Sequence, residues 1–107
     1  MANSYKTLYE GQLPNSVGVL AAVPSLTSWI IKHISVINTD AGSDHTFALY
    51  RNGTTDPFLF TPPAMLVVMG GMDEFTGTLA LEAGGTIAGV SDVATTLTVI
   101  LDGDEIT

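Results

Sequence analysis

The stretch Leu79–Val90, LALEAGGTIAGV, consists of two apolar segments on either side of an Ala-Gly-Gly turn. Apolar residues recur at every second position in both segments, and Glu82 is the only charged residue. A period of two is typical of strands that turn one face to a core and the other to solvent. The stretch therefore predicts two strands of a β-sandwich that pair across Gly84-Gly85.

The same alternation continues outward from this stretch to both ends of the chain, and no window shows a helical period. Eleven glycines and five prolines separate the apolar segments. The strand candidates are Tyr5–Tyr9, Ser16–Val23, Ser28–Asn38, Thr46–Arg51, Phe58–Phe60, Glu74–Leu81, Thr86–Ser91 and Thr96–Leu101. Ala64–Met69 is a further candidate, either a strand or an ordered loop. We predict an all-β protein in which residues 1–107 form a single antiparallel β-sandwich of about eight strands, either a jelly roll or immunoglobulin-like.

Ser28–Asn38 is the longest and most β-branched candidate, which predicts a central strand. Strict alternation places Trp29, Ile31, His33, Ser35 and Ile37 on one face and Ile30, Lys32, Ile34, Val36 and Asn38 on the other. Farther along, Asn52-Gly53 is a hairpin turn signal.

Composition excludes several classes of partner. The net charge is −8, and Lys6, Lys32 and Arg51 are the only Lys and Arg residues. Without a basic patch, we expect no nucleic-acid partner and no anionic membrane partner. Only 13% of the residues are charged, about half the usual share, while 46% are apolar. We therefore expect other subunits to cover part of the surface, as in a homo-oligomer.

The first sixteen residues contain no apolar stretch typical of a signal peptide. The longest apolar run, Ala64–Met69, is too short to cross a bilayer. There is no cysteine, which excludes disulfides and thiolate chemistry. We expect synthesis in the cytoplasm.

Few residues could support chemistry. His45 with Asp40 and Asp44 is a candidate metal or acid–base cluster, but a polar turn whose Asx side chains cap their own backbone is the favoured interpretation. His33 is interpreted as an ordinary strand residue. Asp102, Asp104 and Glu105 form a weak candidate for calcium, although a solvated acidic tail is favoured because the spacing of a calcium loop is missing.

No nucleophile motif, phosphate-binding loop or metalloprotease motif is present, and the sequon at Asn52–Thr54 is interpreted as a turn. We therefore predict no catalytic residue, no metal and no cofactor, and hence no enzyme.

The remaining features point to contact surfaces. Residues 1–15 carry aromatic and apolar side chains ahead of the first good strand, so they form either an ordinary first strand or an extended N-terminal arm that reaches a neighbour. The segment from residue 58 to residue 72 is rich in Phe and Met between prolines and glycines. The predicted interface residues are Tyr5, Leu8, Tyr9, Leu13, Phe58, Phe60, Met65, Met69 and Met72.

Three segments resemble small β-rich structural proteins of tailed bacteriophages. They are the opening YKTLYEGQLPNSVGVLAAVP, the central IIKHISVINTDAGSDHTFALYRNG, and the closing LALEAGGTIAGV with LTVILDGDEIT and its terminal G-x-E. The resemblance covers nearly the whole chain. The chain departs from it at Ala83-Gly84-Gly85, where such proteins often have Ala-Gly-Asp, and the change removes a side chain that would cap the turn.

The resemblance implies a β-sandwich component of the virion, present in many symmetric copies. The first functional hypothesis is a capsid decoration or cement protein that binds the major capsid protein, with a trimer favoured if it bridges local three-fold positions. The alternative is a tail, neck or host-attachment component, bound to other virion subunits. A third hypothesis, a carbohydrate-binding module, depends on Trp29 being exposed for stacking on sugars.

Overall fold

Two antiparallel sheets of four strands each form a β-sandwich in a computed structural model, which describes residues 3–107. The strands are β1 (Asn3–Gln12), β2 (Gly18–Ala22), β3 (Ser28–Asn38), β4 (His45–Arg51), β5 (Met65–Val67), β6 (Met72–Leu81), β7 (Thr86–Ser91) and β8 (Leu97–Ile106). A 3-10 helix at Asp56–Phe58 lies between β4 and β5. This architecture confirms the all-β sandwich and its predicted eight strands.

The order of the strands distinguishes between the two predicted sandwich types. One sheet has the order β1-β8-β3-β6 and the other β2-β7-β4-β5, so that consecutive strands alternate between sheets everywhere except from β4 to β5. An immunoglobulin-like sandwich keeps its first two strands in one sheet. Here the first strand pairs with the last, which is the arrangement of an eight-stranded jelly roll.

The core lies between the two sheets and is built from the apolar residues that alternate along each strand. Its largest fully buried side chains are Leu13, Val36, Phe47, Leu49, Val67, Leu81, Ile87, Leu97, Val99 and Leu101. The rings of Phe47 and Phe75 meet edge to face, with centroids 6.2 Å apart, and so join the two sheets.

β3 is a central strand, as predicted, with β8 on one side and β6 on the other. The predicted faces of this strand are wrong beyond Ile31, because a β-bulge between Ile31 and His33 inserts one residue relative to β8. An extra residue exchanges the two faces of a strand. Trp29 and Ile31 thus share the core with Ile34 and Val36, whereas the side chain of His33 lies on the outer face with Glu74.

The predicted pairing across Gly84-Gly85 is also wrong. β6 pairs with β3, and β7 pairs with β2 and β4, so the turn carries the chain from one sheet to the other. Gly84 has φ of +82°, a conformation that glycine adopts without strain. The predicted strand Phe58–Phe60 is also wrong: Phe58 ends the 3-10 helix Asp56–Phe58, and Leu59 forms only a single bridge with Tyr50.

The acidic segment near the C-terminus belongs to β8, so the favoured prediction of a solvated tail is wrong. The strand continues to Ile106 between β1 and β3. Asp104 is only 8% exposed, and its Oδ2 lies 2.8 Å from Nζ of Lys32. A buried carboxylate requires a positive charge or a hydrogen-bond donor to replace the water that it loses. Lys32, which is distant in sequence, supplies that charge to Asp104 and so allows an acidic residue in a central strand.

The segment proposed as an arm begins with β1, the edge strand of its sheet. Asn3–Gln12 pairs antiparallel with β8, with a register irregularity between Thr7 and Tyr9. The first two residues of the arm lie outside the described residues. Whether this edge strand also contacts a neighbouring subunit stays a prediction.

Candidate functional site

Four loops meet at one end of the sandwich because the chain crosses between the sheets there. They are residues 13–17, 39–44, 68–71 and 92–96, and we call them together the loop end. The backbone N–H of Asn38 donates to Gly71 at 2.9 Å, and that of Thr39 donates to Thr96 at 2.9 Å. Ser91 N–H donates to Pro14 at 2.8 Å. These bonds attach each loop to a neighbour.

Side chains brace the loop end further. The amide of Asn38 donates to the carbonyl oxygens of Ser43 at 2.9 Å and Val67 at 3.1 Å. A carboxylate oxygen of Asp44 accepts the backbone N–H of Met69 at 2.8 Å. Because three elements share these bonds, the loops are fixed relative to one another before any partner binds.

His45 ties two of the loops together. Its Nε2 lies 2.9 Å from Oδ2 of Asp40, and its Nδ1 lies 3.0 Å from Oδ1 of Asp92. The side chain is only 6% exposed. A carboxylate accepts hydrogen bonds and does not donate them, so only the protonated imidazole satisfies both partners.

The two carboxylates shift the titration of this group. The hydrogen bond to Asp40 raises the pKa of His45 above 6.5 against the opposing effect of burial, and Asp92 adds to the rise. The same hydrogen bond lowers the pKa of Asp40 below 3.8, assisted by the backbone N–H of Gly42. The cluster is thus an ion triad that joins the loop before β4 to the loop after β7.

The contacts around His45 distinguish between a metal or acid–base cluster and a polar Asx turn, the two interpretations that the sequence left open. Asp40 Oδ1 accepts the N–H of Gly42 at 2.9 Å, and Asn38 Oδ1 accepts the N–H of Asp40 at 2.8 Å, which confirms the predicted Asx turn. His45 contacts Asp40 as the candidate cluster required, but its second partner is Asp92 rather than Asp44. Among residues 3–107, no three His, Cys, Asp or Glu side chains are placed to hold a metal ion.

Exposed apolar side chains concentrate at the same end. Of the ten large apolar residues that the described chain exposes, four lie in the loop end and a fifth, Met72, begins β6 directly after it. The four are Val17, Val68, Met69 and Val93. Isolated exposed apolar residues are ordinary, but a cluster of them at one end of a fold is a candidate interaction surface.

The predicted interface residues do not form one surface. Met69 is exposed in the loop end and Met72 directly after it, whereas Tyr5 and Phe58 are exposed elsewhere. Leu8, Tyr9, Phe60 and Met65 pack partly buried against the core, and Leu13 is buried within it. Val68 lies in the segment from residue 58 to residue 72 that was predicted as a contact region, although it was not singled out. Sequence reasoning missed Val17, which falls in the predicted strand Ser16–Val23, and Val93, because a single Val in a polar turn carries no periodic signal.

Trp29, on which the carbohydrate-binding hypothesis depended, lies in the core. Its Nε1 donates to Oε2 of Glu105 at 3.1 Å, and Oε1 of the same carboxylate lies 2.7 Å from Nζ of Lys6. Lys6, with a smaller effect of Trp29, lowers the pKa of Glu105. The indole face is therefore unavailable for stacking on a sugar.

A polar row crosses the outer face of the first sheet. Thr7 donates to Asp102 at 2.7 Å, and Glu74 lies 3.0 Å from Nε2 of His33. Asp102 Oδ2 and His33 Nδ1 are 3.7 Å apart. Cross-strand polar pairs of this kind stabilise a sheet, which agrees with the interpretation of His33 as a strand residue.

A cleft opens beside the free edge of β6, where Phe60 approaches Phe75 and Leu79. Its lining is mainly apolar. A small-molecule site usually adds a few convergent polar groups that orient the ligand. Lys32 and His33 border this cleft, but both are engaged by carboxylates. The loop end is therefore the stronger candidate site.

Within the described part of the chain, no helix is long and apolar enough to span a membrane.

Comparison with known proteins finds likeness of fold only, at very low sequence identity. No protein-family model matches the sequence, and no curated protein matches it. A chain in the acid-stable capsid structure of Helicobacter pylori bacteriophage KHP30 has a TM-score of 0.59 and 11% identity, over 100% of this chain and 89% of that one.

A second similar structure comes from Bacillus endospore appendages, which form disulfide-linked pili. Its TM-score is 0.52 at 12% identity, over 99% of this chain and 87% of that one. A pentameric capsid protein from metagenomic phage sequences matches with a TM-score of only 0.37 at 16% identity, over 92% of this chain and 59% of that one. That last likeness is too weak to carry an argument. The first two show that the fold is shared.

Proposed function

We propose that the protein is a structural component of a bacteriophage virion, and specifically a decoration protein that binds the outside of the head and stabilises the shell. The observation that carries this proposal is the jelly roll, which aligns over the whole chain with a chain of a phage capsid structure. The sequence resemblance to small phage structural proteins supports the same class of protein.

The charge of the protein favours the outside of the head over its interior. A net charge of −8 gives no means of neutralising packaged DNA. An acidic protein inside the shell would repel the nucleic acid, whereas on the exterior it meets only protein and solvent.

Stabilisation of the shell follows from added contacts. A protein that spans the seam between two capsid subunits buries surface on both and so opposes their separation. If the protein bridges local three-fold positions of the shell, it would be a trimer there. A trimer agrees with the expectation that other subunits cover part of this protein's surface, since only 13% of its residues are charged. The partner in this proposal is the major capsid protein.

Heads with and without the protein provide the test. Deletion of its gene and purification of the resulting heads should give shells that release DNA at a lower temperature or after milder osmotic shock. Adding back the purified protein should restore resistance. Equal resistance of the two kinds of shell would contradict a stabilising role.

A further inference from the structure

We propose that the loop end is the docking surface of the protein, and that its partner is a protein surface with an apolar centre surrounded by Lys or Arg side chains. This inference rests on the proposed function, because it names the surface through which the protein would bind a virion.

The apolar part of the surface supplies the contact area. Met69 and Val68 extend from the loop between β5 and β6, and Val93 extends from the loop between β7 and β8. All three side chains are about half exposed. Flexible methionines adapt to the shape of a partner, and removal of exposed apolar surface from water favours association.

The charges determine which partner fits. Asp40, Asp44 and Asp92 lie in the loops of this end. Within the described residues, the Lys and Arg side chains are engaged elsewhere: Lys6 with Glu105, Lys32 with Asp104, and Arg51 with the carbonyl of Ala80 at the opposite end. His45 is the local cation, and two carboxylates already share it.

A negative end repels two of the possible occupants. The loop end of a second copy and an anionic lipid surface both carry the same sign of charge, and like charges brought together across an interface are costly. A rim of Lys or Arg is attracted instead. Charge complementarity therefore selects a basic, apolar protein surface.

The hydrogen bonds of the loop end favour tight docking. Loops that are already held together lose little conformational freedom on binding, so more of the contact energy appears as affinity. The bond from Met69 N–H to Asp44 and the triad at His45 hold the apolar loop and its neighbours in place.

Two matched substitutions test the assignment. Met69→Asp introduces a charge at the loop end, and Val19→Asp introduces one on β2, at side chains that are 56% and 57% exposed. Binding of each purified protein to heads that lack it is measured by co-sedimentation at low and high salt. We expect Met69→Asp to weaken binding at least about tenfold, Val19→Asp to change it less than about twofold, and wild-type binding to fall with salt.

A photo-crosslinking residue at position 69 identifies the partner surface on the same heads. We expect crosslinks to a capsid peptide that contains apolar residues close to Lys or Arg. Equal binding of Met69→Asp and wild type, or a loss confined to Val19→Asp, would overturn the docking inference while leaving the virion role standing.

Two control measurements test whether the loop end binds a second copy of this chain or a lipid surface instead of the capsid. Loss of self-association by Met69→Asp in sedimentation velocity would assign the loop end to a second copy. Binding of the wild type, but not of Met69→Asp, to phosphatidylglycerol vesicles would assign it to lipid. Either result overturns the inference, and failure of the wild type to bind heads at all would overturn both it and the proposed function.

Discussion

At the scale of single residues, His45 shows most clearly how a few contacts organise the candidate site. The two ring nitrogens face carboxylates of two different loops at 2.9 and 3.0 Å, in a nearly buried position. The neighbouring charged groups are Asp40, Asp92 and, one residue before the histidine, Asp44. The imidazolium is therefore both a cross-link between loops and the group that titrates nearest neutral pH at this end.

We predict that NMR titration will give His45 a pKa above 6.5, because both carboxylates favour its charged form. Asp40→Asn removes the strongest partner and should lower that pKa. Asp44→Asn is the matched control, since Asp44 accepts the N–H of Met69 rather than contacting the imidazole. A pKa unchanged by Asp40→Asn would contradict the triad.

The sign of the pH dependence follows from the same shift. A histidine whose pKa is raised on folding adds stability that is fully present below the unfolded value, about 6.5, and is lost as pH rises through the folded value. Asp40 has a lowered pKa, so its contribution is present above 3.8 and is lost as the pH falls below that value. The melting temperature should thus fall on the alkaline side more steeply in the wild type than in His45→Gln.

Gly103 tests the close packing of β3 against β8. A Cβ atom there would clash with the carbonyl of Ile30 and lie 2.9 Å from Cα of Ile31, both backbone atoms that cannot rotate away. Gly103→Ala should therefore lower the free energy of unfolding by about 2–3 kcal/mol. At Gly18, by comparison, the nearest atoms are 3.9 Å from the position of a Cβ. If denaturant unfolding shows Gly103→Ala to be no more destabilised than Gly18→Ala, the register of β8 is wrong.

At the scale of elements, the sequence was sufficient to predict most strands but not the sheet that each one joins. Alternation is a local property, and it located β3, β6 and β7 correctly. Whether β6 and β7 pair depends on contacts with strands far along the chain, and the turn at Gly84-Gly85 is compatible with a hairpin or a crossing. The end of β8 was missed for the same reason, because Lys32 and Lys6 supply the charges that its acids require.

The bulge in β3 makes a second prediction at this scale. Ile34 is buried in the core as a consequence of the bulge, whereas Ile37 lies on the outer face and is partly exposed. Ile34→Ala should cost about 2–4 kcal/mol of unfolding free energy, and Ile37→Ala about 1 kcal/mol or less. Comparable costs from denaturant titration would argue against the exchange of faces.

The loop end could be predicted only in fragments. Met69 and Met72 were identified from composition, and the Asx turn at Asp40 from local residue types. The contact between His45 and Asp92 joins residues 47 positions apart, and no local pattern indicates it. Topology brings these fragments together, because the chain crosses between the sheets repeatedly at the same end.

At the scale of the whole molecule, the jelly roll gathers exposed apolar side chains at the loop end and keeps its Lys and Arg side chains away from that end. Ion pairs and cross-strand polar contacts occupy the first sheet, from Lys6 to Glu74. The loop end carries carboxylates and exposed apolar side chains, braced by hydrogen bonds within the chain. In the proposed function, the loop end would dock on the shell, and the remaining surface would face solvent or further copies.

The copy number of the protein in purified particles distinguishes a decoration protein of the head from a neck or tail component. Quantitative mass spectrometry against the major capsid protein gives the ratio of the two chains. We expect one copy per capsid subunit or a simple fraction of it, as a decoration protein requires. A dozen or fewer copies per particle would place the protein at the neck or tail instead, and absence from the particle would contradict the virion role.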